Sequence, residues 1–324
     1  MKKQKKEIII KSNSFMKKTL IIGAKGTLGQ ALVKVFQKDK NFKVIAWDKE
    51  DIDITREKEV HKKISFLHPE IILNAAGYNA VDECEKDKHE YILAKKVNGQ
   101  APGYLALAAK KNKAVLVHYS SDYVFDGKPS IPEPSGCSHS CATCSLHQDF
   151  QPKIGFQEDD HVSPINKYGE TKLLGEKNVQ KNMKKFYLIR LSRLFGEKAV
   201  SFNSKKSFFD MMLELSKTKK TLQVIDDEIG CFTYAPDLAK KTKEIIDSQK
   251  PFGIYHIVND GFASWYDGAQ ELFSLNKQKI EIVPVESKAF SRPAKRPFLS
   301  ILINSKTNPL RDWREALKEH LKNG

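Results

Sequence analysis

The stretch Thr19-Leu20-Ile21-Ile22-Gly23-Ala24-Lys25-Gly26-Thr27-Leu28-Gly29 decides the fold. A short apolar strand runs straight into a glycine turn, and Ala31, Leu32, Val35 and Phe36 then recur at helical spacing. Strand, glycine turn and helix together aim backbone N–H groups at a pyrophosphate from a helix N-terminus. The spacing is GxxGxxG rather than GxGxxG, so its weight comes from its place between a strand and a helix, with a second strand following. That second strand, Phe42 to Trp47, ends in Asp48. An acid about 20 residues past the glycines is placed to bind adenosine ribose hydroxyls, and an aspartate there favours NADH by repelling a 2′-phosphate. Lys49 beside it softens that preference, and a plain strand-end turn aspartate is the alternative reading.

Outward from this unit the chain alternates. Glu57 to Phe66 reads as a helix with Val60 and Ile64 inward, and Glu70 to Gly77 as a strand ending in small residues. Tyr91 to Lys111 reads as a helix, and Ala114 to His118 as a buried strand. Repeated units of this kind predict an α/β fold, a Rossmann-type doubly wound parallel sheet. Further on, Phe208–Lys217, the segment opened by Pro236, and residues 264–275 and 308–321 read as helices. Residues 222–225, 253–258 and 279–286 read as strands. The expected division is an extension at 1–15, a dinucleotide-binding domain at 16–196 and a smaller C-terminal α/β substrate-binding lobe at 197–324. About 233–260 returns to the first domain.

Two stretches carry chemistry. One is Tyr119-Ser120-Ser121-Asp122-Tyr123-Val124-Phe125-Asp126-Gly127 at a strand end; the other is Tyr168-Gly169-Glu170-Thr171-Lys172. Tyr168 and Lys172 stand four apart, on one helix face. A free tyrosine has a pKa of about 10, and an ammonium one turn away favours its phenolate. Ser121 is suited to hydrogen-bond a carbonyl oxygen or the alkoxide formed from it. A lone YxxxK is most often a chance pair on an exposed face, so context has to decide.

Composition narrows the classes. The 324 residues carry a formal charge of +15, mostly from lysines in short clusters. That balance suits an anionic substrate, and no RRM, zinc-finger or KH signature points to nucleic acid. No apolar run reaches membrane-spanning length, and Ile8-Ile9-Ile10 is too short for a signal-peptide core. The expectation is a cytoplasmic protein with reduced or metal-bound cysteines. Met16-Lys17-Lys18 is a natural start before the first strand.

The set Gly23-xx-Gly26-xx-Gly29, Asn74-Ala75-Ala76-Gly77, Val81-Asp82-x-x-Glu85, Ser120 to Gly127 and Tyr168-Gly169-x-Thr171-Lys172-Leu173-x-Gly175-Glu176 resembles the dTDP-4-dehydrorhamnose reductases, which are extended short-chain dehydrogenase/reductases. The likeness runs on through Arg190-Leu191-Ser192, Thr233 to Ala239, Gly253-Ile254-Tyr255-His256 and Ser291-Arg292-Pro293-Ala294, and covers nearly everything from Lys17 to Leu321. The resemblance implies a nucleotide-linked 4-keto-6-deoxysugar as substrate, most simply dTDP-4-dehydro-L-rhamnose, and NADPH or NADH as cofactor. It implies that Gly26, Thr27 and Leu28 contact the cofactor diphosphate, that Asp48, Asp53 and Ile54 hold the adenosine end, and that Gly77, Tyr78, Asn79 and Tyr119 line the cofactor further along. Ser121, Tyr168 and Lys172 become the catalytic trio, and Asp122 touches the sugar nucleotide. Other readings on the same scaffold are a non-catalytic dinucleotide-binding regulatory subunit and a nucleotide-sugar epimerase or dehydratase. Oligomeric state stays open, a homodimer included.

The sequence departs from the family pattern at three places. Arg193 stands where a tryptophan usually lines the sugar site, and Cys231-Phe232 replace small residues and proline. An insertion at about 128–160 carries Cys137, Cys141 and Cys144, with His139 and His147. Three thiols and one of these imidazoles supply the ligands of a tetrahedral structural zinc. Because paired CxxC spacing is missing, an unliganded surface loop is the equal alternative.

Overall fold

A computed structural model describes residues 16–129, 154–201 and 204–323. The first half is built from β1 (Lys17–Ile22), α1 (Thr27–Gln37), β2 (Phe42–Trp47), α2 (Glu57–Leu67), β3 (Ile71–Asn74), α3 (Val81–Lys86), α4 (Lys88–Ala94), α5 (Ala101–Lys111) and β4 (Val115–Ser121). After the segment outside the described residues come α6 (Lys167–Asn182), β5 (Phe186–Leu191), β6 (Leu194–Phe195), α7 (Phe208–Leu215), β7 (Thr221–Ile225), β8 (Ile229–Gly230) and β9 (Thr233–Tyr234). The chain closes with α8 (Ala235–Asp247), β10 (Gly253–His256), α9 (Trp265–Leu275), β11 (Glu281–Val285), β12 (Leu299–Ser300) and α10 (Trp313–Asn323).

Six strands form one parallel sheet in the order β2-β1-β3-β4-β5-β10. Its strands are apolar on both faces because helices cover both. On one face Leu32 and Phe36 of α1 and Leu238 and Ile245 of α8 meet Ile21, Val117 and Ile189. On the other, Val60 and Ile64 of α2, Leu105 of α5 and Val179 of α6 meet Leu20, Ile72 and Leu116. β2 lies on one side of β1, and the chain then crosses back to place β3 on the other. The crevice between β1 and β3, beyond their carboxyl ends, is therefore the topological switch point where ligands bind in open α/β sheets.

A second apolar cluster gathers Phe209 and Met212 of α7, Leu222 and Val224 of β7, Leu272 of α9, and Trp313 and Leu317 of α10, with Phe232 fully buried among them. β7 pairs in parallel with β11. A smaller cluster of Val124, Phe125, Phe156, Leu173, Cys231 and Ile301 joins the two regions, and Phe125 stacks on Phe156 at 4.2 Å.

The helix expected over Tyr91–Lys111 is instead α4, a π-helical turn over Lys95–Gln100, and α5. The wider turn carries Asn98, which is buried. Its backbone lies so close to α6 that a Cβ on Gly175 would sit 2.1 Å from the Asn98 carbonyl oxygen. Glycine at 175 is what allows that approach.

Cys137, Cys141, Cys144, His139 and His147, the expected zinc ligands, lie outside the described residues, as does the extension at 1–15. Among the described residues no group of three or more His, Cys, Asp or Glu side chains could hold a metal ion. Cys84 and Cys231 are buried free thiols. Among the described residues no helix is long and apolar enough to cross a membrane.

Candidate functional site

The site begins at the glycine turn. Gly23 has φ +78°, and a Cβ there would meet the Ala76 nitrogen at 2.6 Å, so the ends of β1 and β3 close on each other only because residue 23 is glycine. Gly26 precedes α1 in extended conformation and supplies no side-chain cap, and the first turn contains no acid. The N–H groups of Thr27, Leu28 and Gly29 thus open the helix without an acidic side chain over them, as an anion site needs.

Asp48, at the end of β2, is buried. Its Oδ2 accepts the Lys25 N–H at 2.9 Å and its Oδ1 accepts the Lys49 N–H at 2.9 Å. The aspartate therefore buttresses the glycine turn, and Lys25 pairs beside it with Glu50 at 3.1 Å. Asp53 folds back on itself, its Oδ1 accepting from the Thr55 hydroxyl at 2.6 Å and its Oδ2 lying 3.0 Å from Arg56 Nε. The adjacent Ile54 is buried.

Past β3 the chain runs through Gly77, Tyr78 and Asn79, the segment expected to line the cofactor. Asn98 holds this segment: its Oδ1 accepts the Tyr78 N–H at 2.8 Å, and its Nδ2 donates to the Tyr78 carbonyl at 2.9 Å and to the Thr171 hydroxyl at 3.1 Å. Sequence reading missed Asn98. The glycine that follows it within a long helical pattern was the only signal that the helix is interrupted there.

α6 brings in the next group. Asn166 caps it, accepting the Gly169 N–H at 2.8 Å. Lys172 is buried, and its Nζ donates to the Tyr119 carbonyl at 2.7 Å. A Cβ on Gly77 would lie 4.0 Å from that Nζ, so the lysine reaches the crevice. Burial pulls its pKa down to about 8, and Glu176 opposes the fall. The Tyr119 side chain points away, its hydroxyl donating to Thr242 at 3.0 Å on the opposite sheet face. Only its backbone serves the site.

Ser121 closes β4. Its hydroxyl donates to Asp122 Oδ1 at 2.7 Å and accepts the Tyr123 N–H at 3.2 Å. Asp122, expected to touch a sugar nucleotide, is itself buried and also accepts from Ser192 Oγ at 2.7 Å. Burial raises its pKa against the bonds from Ser121 and Ser192. Tyr168 packs edge-on against Tyr123 at 5.6 Å. Burial, then Asp122, then Tyr123 push its phenol pKa up, and Ser121 opposes them. In the free protein Tyr168 therefore holds its proton at neutral pH, and Lys172, turned to Tyr119, is not among the principal groups acting on it.

Arg193 has φ +39° and is half-buried. It donates to the Ala263 and Glu228 carbonyls, both at 2.7 Å, and lies over Trp265. Glu228 also accepts from Trp265 Nε1 at 3.1 Å and pairs with Arg292. The Val81-Asp82-x-x-Glu85 motif acts as a latch. Asp82 takes a two-pronged bond from Arg296 at 2.7 and 2.8 Å, and Glu85 Oε2 accepts the Lys167 N–H at the start of α6 at 3.1 Å.

A glycine turn at the switch point of a doubly wound parallel sheet defines a dinucleotide-binding α/β protein of the short-chain dehydrogenase/reductase type. A sequence model described as the RmlD substrate binding domain matches residues 16–324, and the chain belongs to that family of NAD(P)-dependent oxidoreductases. It is 32% identical over 310 residues to the spore coat polysaccharide biosynthesis protein SpsK of Bacillus subtilis (94% of this chain, 97% of that one). It is 31% identical to a dTDP-4-dehydrorhamnose reductase of Aggregatibacter actinomycetemcomitans (94% and 98%). Among solved structures, a dTDP-4-dehydrorhamnose reductase from Clostridium acetobutylicum superposes with TM-score 0.81 at 35% identity (94% and 99%). One from Bacillus anthracis in complex with NADP superposes with TM-score 0.82 at 28% identity (95% and 99%).

Proposed function

We propose that this protein reduces the C4 carbonyl of a nucleotide-linked 4-keto-6-deoxysugar, most simply dTDP-4-dehydro-L-rhamnose to dTDP-L-rhamnose, with NADPH or NADH. The observation that carries the reading is a proton-bearing Tyr168, set by Ser121 at the end of β4, on a helix whose Lys172 reaches the dinucleotide crevice. The relatives' names favour this substrate class over an epimerase, and a proton donor favours it over a regulatory subunit.

The crevice fits a dinucleotide. The backbone closure at Gly23, the open start of α1 and the approach of Lys172 to Gly77 support that reading. Gly23, Gly26, Thr27, Leu28 and Gly29 would hold the diphosphate, Asp48, Asp53 and Ile54 the adenosine end, and Gly77, Tyr78, Asn79 and the Tyr119 backbone the rest. When bound, a reduced nicotinamide supplies a hydride. The sugar C4 accepts it, the carbonyl π pair moves to oxygen, and Tyr168 gives that oxygen its phenolic proton. Lys172, one turn along α6, would favour the phenolate left behind once its ammonium turns from the Tyr119 carbonyl. Ser121 turns its proton from Asp122 to the sugar oxygen, and Asp122 and Arg193 shape the floor beneath it.

The test is steady NADPH or NADH oxidation across dTDP-, GDP- and CDP-linked 4-keto-6-deoxysugars. Turnover with one nucleotide class supports the reading. No net oxidation of either cofactor, with interconversion of 4-epimers, would replace it by an epimerase. We also retain one zinc at Cys137, Cys141, Cys144 and His139 or His147 as a proposal. Elemental analysis of untagged protein decides it, and metal well below one per chain ends it.

A further inference from the structure

Tyr168, Lys172 and Glu176 follow one another at intervals of four along α6, so they share one face. Glu176 is completely buried, and the reaction uses no carboxylate there. Arg190, on β5, holds it with two bonds, Nε to Oε1 at 3.0 Å and the terminal nitrogen to Oε2 at 2.8 Å. The guanidinium is fixed in turn. It lies 5.0 Å from the Phe125 ring centroid and donates to the Glu158 carbonyl at 3.1 Å. The same Nη1 that donates to the Glu158 carbonyl is 3.4 Å from His256 Nε2. The Phe156 carbonyl, 3.0 Å from His256 Nδ1, can only accept, so Nδ1 carries the imidazole proton and Nε2 is left to accept from Arg190.

A lysine drawn out of water needs an opposite charge to stay ionised. The groups facing Lys172 are few. From β4 come the Tyr119 carbonyl and His118, which burial and the Lys172 charge keep neutral well below its usual pKa. From α6 come Tyr168, whose pKa is raised, and Glu176. From β5 comes Arg190, beyond the Glu176 carboxylate. Glu176 is the one anion in this set.

We propose that Glu176 is a positioning residue for Lys172: its carboxylate, one turn beyond the ammonium, keeps the buried lysine charged, and Arg190 sets how much of that charge the lysine feels. The pair has two opposed consequences. Removing the carboxylate leaves Arg190 uncompensated and disfavours the ammonium. Removing the guanidinium frees the carboxylate to act on Lys172 alone. A scaffold role would instead give loss of stability with no sign attached to either partner.

The proposal rests on the reductase reading only for its effect on turnover, so the test includes a readout that needs no substrate. Protein labelled with 13C at lysine Cε is titrated by NMR, with the Lys172 signal assigned by its absence in Lys172→Met. The wild-type midpoint is expected near 8. Glu176→Gln is expected to lower it by about one pH unit and Arg190→Gln to raise it by about the same. Because the signs differ, either variant is decisive if the other does not fold. The alkaline limb of kcat is expected to follow each midpoint, while KM for the nucleotide sugar changes little. A Lys172 midpoint unmoved in a folded variant, or moved the same way in both, overturns the proposal. Midpoints that move as stated in a protein that oxidises neither cofactor would uphold it and reject the reductase reading.

Discussion

Arg193 lies over the indole of Trp265, its guanidinium carbon 4.0 Å from the ring centroid, and faces Phe232 at 5.4 Å. Arg193 and Phe232 belong to two of the three departures from the pattern that the resemblance implies, and here they are one contact. The arginine fills a corner between two aromatic rings set at 78° to each other and ties it to the Ala263 and Glu228 carbonyls. Arg193→Leu is expected to cost about 1–3 kcal/mol of stability, from the buried Glu228 carbonyl left without the guanidinium, the Ala263 carbonyl reduced to its bond from the Gly230 N–H, and a lost cation–π contact. It should raise KM for the nucleotide sugar and leave dinucleotide affinity unchanged. Urea unfolding and fluorescence titration check the two parts, and a weakened dinucleotide site with normal sugar KM would refute the placement.

Asp48 is expected to matter in two ways, because it buttresses the turn and is proposed to hold the adenosine end. The account expects NADH to be accepted at least as well as NADPH. Asp48→Asn keeps one acceptor oxygen and loses the charge, so it should shift the ratio of kcat/KM values toward NADPH by roughly tenfold, about 1.4 kcal/mol. An unchanged ratio would mean that nearby cations such as Lys25 set the preference.

The latch between Asp82 and Arg296 should show in acid. Arg296 holds the Asp82 carboxyl below its usual pKa. A carboxylate depressed in the folded state adds stability above its unfolded pKa of about 3.9, and that stability is lost as pH falls through the lower, folded value. Asp82→Asn should therefore be less stable than wild type by about 1–2 kcal/mol at pH 7, with the gap closing as pH drops below about 4. A gap that persists unchanged at pH 3 would assign the loss to packing.

Local pattern carried much of this molecule. The turn from Gly23 to Gly29, the strand to Asp48 and the β–α alternation rest on contacts between near neighbours in sequence, so periodicity and glycine placement reveal them. The packing around α6 does not. Asn98 needs the Gly175 surface 77 residues away to turn inward, and Asp122 is buried through Ser192, 70 residues on. Arg193 was legible as a departure, but its aromatic corner brings together β8–β9 and α9, and no one-dimensional spacing encodes that.

The most direct measurement is single-turnover reduction by Tyr168→Phe, followed beside its dinucleotide affinity. The substitution removes one hydroxyl and keeps the ring that packs on Tyr123. The account predicts NADPH and NADH affinities within about twofold of wild type and a reduction rate down by about 10²–10⁴, the range general acid catalysis supplies. Reduction at close to the wild-type rate would contradict the central claim that Tyr168 delivers the proton.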